Sequence, residues 1–260
     1  MQETKEILTN RYPFFAVVGP VGVGKSEFTG AFVHDTQIKN FEEPFLENPY
    51  LSDFYTKSHN DFSFNSQMFF LATKGLQMQK VRGLLAGESV IQDPAIDVDF
   101  MIANSHYKMG WMTGEEYSAY ELARDAVLED LINPDLYIAL VASKETVKNR
   151  IAIRGRGMEL AMLKECPEYF DFLVDEFNDW LIKAKETKRV VTINTEKFDL
   201  SFENNKERVV GEAKNWLGYF IDSKHQMNNV GSDGARLIFP NFLRPNHRFR
   251  DYLPGEIIDR

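Results

Sequence analysis

Residues 19–26 read Gly-Pro-Val-Gly-Val-Gly-Lys-Ser, a full match to the phosphate-loop pattern G-x-x-x-x-G-K-[ST]. No other stretch limits the possible folds as much. Such a loop needs a strand before it and a helix after it, because its backbone N–H groups must curl toward an anion at the helix N-terminus. Both flanks are present. Phe14-Phe15-Ala16-Val17-Val18 is a short apolar, β-prone run, and Lys25 to Val33 continues with Phe28 and Phe32 four residues apart. Gly19, Gly22 and Gly24 permit the curl, and Pro20, Val21 and Val23 complete the loop. Lys25 is placed to reach the outer phosphates of a nucleotide, and the Ser26 hydroxyl to bind Mg2+. The alternative, a glycine-rich turn with no ligand, does not account for both flanks.

The rest of the chain reads as alternating strands and helices. Expected strands cover about 13–18, 37–41, 89–92, 136–141 and 189–193, with helices at about 25–34, 51–57, 61–85, 97–108, 113–132, 143–153, 166–186 and 203–220. Thr113, with Glu116 three residues later, forms a capping-box pattern. Asn133-Pro134 ends the helix before it. Ser143 suits an N-cap. Arg154-Gly155-Arg156-Gly157 reads as a mobile basic loop. Five strands separated by helices indicate an α/β fold: a five-stranded parallel sheet with helices on both faces and ligands at the carboxyl ends of the strands. Residues 1–220 read as this domain. Residues 221–260 read as an irregular extension rich in Asn, Gly, Pro and Arg.

Composition narrows the partners. The chain has 260 residues, 43% of them hydrophobic, which is ample for a large core. It contains no apolar run of about 18 residues that would cross a membrane. Met1 to Arg11 is polar and charged, without the apolar centre of a signal peptide. The single cysteine, Cys166, excludes an internal disulfide and fits a reducing, cytoplasmic setting. A net charge of −9 argues against broad nucleic-acid binding but not against a nucleotide site, which needs only local cations.

Phosphoryl transfer requires a phosphate cradle, a metal, a group to take the hydroxyl proton, and cations on the group in flight. Glu43 and Asp93 are the carboxylates at strand ends. One would accept a proton and the other hold Mg2+. For Asp93, just before Pro94, helix capping is the competing reading. Arg150, Arg154 and Arg156 supply cations, with Glu159 just beyond. Arg150 and Arg154 share a helix face, so the three suit a lid over phosphates. They suit a solvated helix end equally well. The histidines show no metal-ligand spacing and read as structural or surface residues. Trp111, Trp180 and Trp216 read as core.

With these residues in view, the chain resembles the deoxynucleoside kinases over about 12–195. The phosphate loop, Glu43-Pro44 with Glu47-Asn48-Pro49-Tyr50 behind it, Asp93, and Arg150-x-x-x-Arg154-x-Arg156-x-x-Glu159 carry the likeness. The resemblance implies ATP as phosphoryl donor with Mg2+ and the 5′-hydroxyl of a deoxyribonucleoside as acceptor. It makes Glu43 the base and Asp93 a magnesium-side carboxylate. Gln67 and Asp99 would read the nucleobase, Tyr55 the sugar, and Glu159 the 3′-hydroxyl. It also implies a role in nucleotide salvage and a homodimer.

Two positions depart from the family pattern. Its Asp/Glu-Arg-Ser motif reads Asp93-Pro94-Ala95 here, so an arginine near the reacting groups is missing. Its base-reading arginine, seven residues after the glutamine, is Lys74, a point donor that cannot form a bidentate fork. Arg244, Arg248 and Arg250 in the extension offer cations in place of the lost arginine. The leading reading is an ATP-dependent deoxynucleoside kinase that prefers a purine. The alternatives are a nucleoside monophosphate kinase of the same fold and a nucleotide-binding subunit that has lost activity.

Overall fold

The computed structural model describes residues 11–129, 131–197, 200–201, 204–211 and 215. Its centre is an all-parallel sheet of β1 (Phe14–Val18), β2 (Lys39–Glu42), β3 (Val90–Asp93), β4 (Leu136–Val141) and β5 (Val190–Asn194), in the order β2-β3-β1-β4-β5. The helices are α1 (Lys25–Thr36), α2 (Leu51–Thr56), α3 (His59–Leu84), α4 (Ile96–Lys108), α5 (Gly114–Leu128), α6 (Lys144–Arg154), α7 (Gly157–Glu165) and α8 (Glu168–Thr187). The α/β, five-stranded parallel architecture expected from the alternation is the one observed. Of the helix expected at 203–220, residues 204–211 and 215 are described and are helical; the rest of it, the extension at 221–260 and Trp216 lie outside the described residues.

The central strand shows why both faces are covered. β1 is fully buried, and successive side chains on a strand point to opposite faces. Phe15 and Val17 join Phe28 and Phe32 of α1 in one core cluster. Ala16 and Val18 join Val98 of α4 and Phe177 and Leu181 of α8 in another. The Phe28 and Phe32 rings stack, with centroids 5.8 Å apart, as their four-residue spacing on a helix allows.

Register sets the upper rim of the sheet. Phe14 pairs with Val90, Val18 with Ala139, and Glu42 with Asp93. The ends of β1, β2 and β3 therefore converge, and the strand order reverses between β1 and β3. A crevice opens at that kind of switch point. The backbone N–H of Glu43 donates to the Asp93 carbonyl at 3.0 Å, tying two candidate carboxylate positions together.

The structure differs from the sequence reading in two places. The basic loop read at 154–157 is confined to Gly155 and Arg156, and residues 157–165 form helix α7, which the sequence reading did not include. Gly155 ends α6 in the left-handed conformation, at φ 73°, so the chain turns and restarts a helix within two residues. Leu76 of α3, although apolar, is 60% exposed, because the buried face of that helix runs through Leu71, Lys74, Gly75 and Met78. The capping box of α5 is formed: Thr113 accepts from the Glu116 N–H, and the Glu116 carboxylate accepts from the Thr113 N–H. Thr113→Ala should cost about 1 kcal/mol of stability. That corresponds to a fall in melting temperature of about 2–4 °C in a chain of this size, measurable by calorimetry.

Candidate active site

A cleft of about 790 Å3 sits over the carboxyl ends of β1, β2 and β3. Its lining runs from the phosphate loop, Val21 to Glu27, across Asp93 and Glu43, to Gln67, Tyr55 and Phe70 on the far wall, with Arg150, Arg154, Arg156 and Glu159 above. Most of the residues chosen from sequence thus face one space. Gly19, Pro20, Lys74 and Asp99 are not part of its lining.

The phosphate loop is shaped by close packing as well as by φ. Gly22 sits at φ 83°, and a Cβ there would lie 2.8 Å from Ile151 and 3.0 Å from the Val147 carbonyl of α6. The loop is therefore pressed against the helix that carries the lid arginines. Gly24, at φ 102°, precedes Lys25, the first residue of α1, so the free N–H groups of that helix face the cleft. The Lys25 ammonium donates to the Gly19 and Pro20 carbonyls at 2.9 and 3.0 Å. Burial lowers its pKa, opposed by the nearby charges of Asp93 and Glu43.

Asp93 is 5% exposed, and its Oδ1 accepts no hydrogen bond. Burial raises its pKa, and Lys25 works against that rise. It does not cap α4: the N-cap is Ala95, which makes no side-chain bond. An unpartnered carboxylate oxygen beside a phosphate loop fits a divalent cation, which favours oxygen ligands and keeps much of its water. Ser26, on the same cleft, offers the second protein oxygen.

The lid arginines have defined partners. Arg154 donates to the Glu159 carboxylate through Nε at 3.1 Å and Nη2 at 2.6 Å. Arg156 approaches the other oxygen of Glu159 at 3.6 Å, and its guanidinium lies 4.6 Å from the centre of the Phe45 ring. Arg150 donates to the Val23 carbonyl and to both oxygens of Thr195, at 2.7–3.3 Å. It thereby joins the phosphate loop to the end of β5, a role the spacing of the three arginines did not reveal.

The sequence reading also missed what stands behind Tyr55. Ser63 meets Nδ1 of His106 at 2.7 Å, and Nε2 of His106 meets the Tyr169 hydroxyl at 3.1 Å. The Tyr169 ring in turn meets that of Tyr55 on the cleft wall edge to face, with centroids 6.4 Å apart. With Ser63 donating to Nδ1, the ring carries its proton on Nε2 and passes the bond outward. His106 is fully buried, stacked on Phe54 with centroids 4.6 Å apart, and burial lowers its pKa to about 3. A lone histidine in sequence carries no sign of this chain, because its partners are 43 and 63 residues away.

The far wall holds the remaining unpaired polar atom. Gln67 is 2% exposed, and its Oε1 accepts no hydrogen bond. The ammonium of Lys74, seven residues further along α3, donates to the Pro94 carbonyl at 2.9 Å. It lies 3.7 Å from Glu43 Oε1 and 3.9 Å from Asp99 Oδ2. Burial raises the Asp99 pKa to about 8, with Lys74 opposing the rise.

Comparison with known proteins identifies the family. The family described as deoxynucleoside kinase matches residues 15–217. The deoxyadenosine/deoxycytidine kinase of Bacillus subtilis is 31% identical over 200 residues, 75% of this chain and 89% of that one. The deoxyguanosine kinase of Lactobacillus acidophilus is 29% identical over 201 residues, 75% of this chain and 86% of that one. The structure of deoxyadenosine kinase from M. mycoides with bound dATP shares the fold, with a TM-score of 0.67 at 23% identity, over 78% of this chain and all of that one.

The buried histidine gives a pH prediction. The folded-state pKa of His106 lies below its unfolded value of about 6.5, so the unfolded chain binds the extra proton and acid destabilises the fold. Each pH unit below 6.5 should cost about 1.4 kcal/mol from this group. His106→Asn should be less stable than the parent at pH 7, and the deficit should shrink by about 2 kcal/mol by pH 5. Urea unfolding of both proteins at the two pH values checks this, and a deficit that stays constant would contradict it.

Proposed function

The chain belongs to the deoxynucleoside kinase family, ATP-dependent phosphotransferases, and from that premise we propose how its own residues divide the work. The observation that carries the proposal is the single cleft shared by the phosphate loop, Glu43 and the Gln67–Tyr55 wall. ATP binds with its phosphates on the N–H groups of the loop and on Lys25, which exchanges the Gly19 and Pro20 carbonyls for phosphate oxygens. Ser26 and Asp93 would hold Mg2+, which supplies charge neutralisation at the phosphates when bound. Glu43 accepts the proton of the attacking 5′-hydroxyl. Arg154 and Arg156 neutralise the transferring group, and Arg150 keeps the loop and the end of β5 in register.

The acceptor is a deoxyribonucleoside. Gln67, with an unpartnered amide oxygen, supports a hydrogen bond to an amino group on the base edge. Together with relatives that bear the names of deoxyadenosine and deoxyguanosine kinases, this favours a purine. Tyr55 and Glu159 contact the sugar. A homodimer, a cytoplasmic setting and a place in nucleotide salvage belong to the same proposal and are supported by family membership. Among the described residues no helix is long and apolar enough to cross a membrane.

The test is monophosphate formation from Mg2+-ATP and each of the four deoxynucleosides. Turnover on a purine nucleoside, lost in Lys25→Ala, is expected, and no product from any of the four would overturn the proposal. Glu43→Gln should lower kcat by about 10²–10⁴-fold. Gln67→Leu should weaken the nucleoside kcat/KM by at least about tenfold, with the KM for ATP unchanged.

A further inference from the structure

Lys74 is among the largest fully buried side chains of the described residues, at 1% exposure. An ammonium in such a place is costly unless it is paired and hydrogen-bonded. Its one direct hydrogen bond goes to the backbone carbonyl of Pro94, which fixes the nitrogen behind the floor of the cleft. From there it faces two carboxylates at nearly equal distance. Asp99 is as buried as the lysine, accepts no hydrogen bond at either oxygen, and does not reach the cleft. Glu43 is the nearer of the two, keeps 26% of its side chain exposed, and lines the cleft. Lys74 thus lies between two carboxyl groups, and only that of Glu43 opens onto the reacting space.

The neighbouring cations are committed elsewhere. Lys25 is on the loop carbonyls, Arg150 on Val23 and Thr195, and Arg154 on Glu159. Pro94, which lines the cleft, and Ala95 after it carry no charge. We propose that Lys74 is a positioning residue for phosphoryl transfer: from helix α3 it supplies the cation beside Glu43 and fixes the direction of that carboxylate. The Pro94 carbonyl serves as its anchor, so the segment that brings no cation of its own holds one from another helix. Arginines of the extension are then not required for this task. Lys74 acts through Glu43 and not on the nucleobase.

The inference rests on Glu43 as the proton acceptor, and the experiment separates the two. Steady-state kinetics of the full chain would be measured for Lys74→Met, Glu43→Gln and the double variant, with binding of a non-hydrolysable ATP analogue as the check on folding. Lys74→Met should lower kcat by at least about tenfold, with the KM for the nucleoside within about threefold of the parent and analogue binding retained. Placed on Glu43→Gln, the same change should cause no further loss in kcat, because residues acting as a unit are not additive. An unchanged kcat in Lys74→Met beside an impaired Glu43→Gln would overturn this inference alone. So would a loss confined to the nucleoside KM, which would make Lys74 a base-reading residue. A fully active Glu43→Gln would overturn the reading of Glu43 itself. Should the lone Asp99 left by Lys74→Met prevent folding, Lys74→Met with Asp99→Asn removes cation and anion together. Its kcat against that of Asp99→Asn alone then decides, an equal value overturning the proposal and a further fall of about tenfold supporting it.

Discussion

Everything at the active site depends on the parallel pairing of β1 with β3 and β4. All five strands run the same way, so every carboxyl end arrives at one rim. The loop after β1, Asp93 at the end of β3, Glu43 just past β2 and Thr195 just past β5 then meet without any long excursion of the chain. Parallel strands need crossover helices, and those helices bury both faces of the sheet. The buried run Phe14–Val18 is the consequence: a strand with no solvent face, from which the phosphate loop springs as the first residues free to leave the core.

The second dependency is between the loop and the lid helix. Gly22 lies against Val147 and Ile151 of α6, and Arg150 of the same helix donates to Val23. The cradle for the phosphates and the base of the lid are therefore one packed unit. Glu159, bonded by Arg154 and approached by Arg156, ties the start of α7 to the end of α6.

Below the cleft lies a set of charges that no single element explains. Asp93, Asp99 and Glu43 come from β3, α4 and the segment after β2, and Lys25 and Lys74 from α1 and α3. Burial pushes the Asp93 and Asp99 carboxyls up, and the two ammoniums pull them down. Asp93 Oδ1 and Gln67 Oε1, beside the cleft, are buried without a hydrogen bond. Ser63, His106 and Tyr169 stand behind Tyr55 as Lys74 stands behind Glu43, all of them buried from solvent.

By itself the sequence determined what local chemistry can determine. The octet 19–26 dictates a strand, a loop and a helix; the alternation dictates an α/β sheet; Thr113 and Ser143 mark their helix starts, since caps act within three residues. The candidates Glu43, Gln67, Asp93 and the three arginines were legible because motifs fix residue type and spacing. Only the tertiary structure decided which of them share a space and what each one touches. Lys74 reads as a base contact by its distance from Gln67, yet the fold brings Pro94, Glu43 and Asp99 around its ammonium. Arg150 reads as a lid cation, yet the fold gives it Val23 and Thr195. Helix α7 was hidden by glycines that signal a break in any sequence. The physical reason is common to all three: hydrogen bonds and ion pairs of buried groups are set by elements that meet across many residues of chain, and that meeting is a property of the sheet order, which no local pattern encodes.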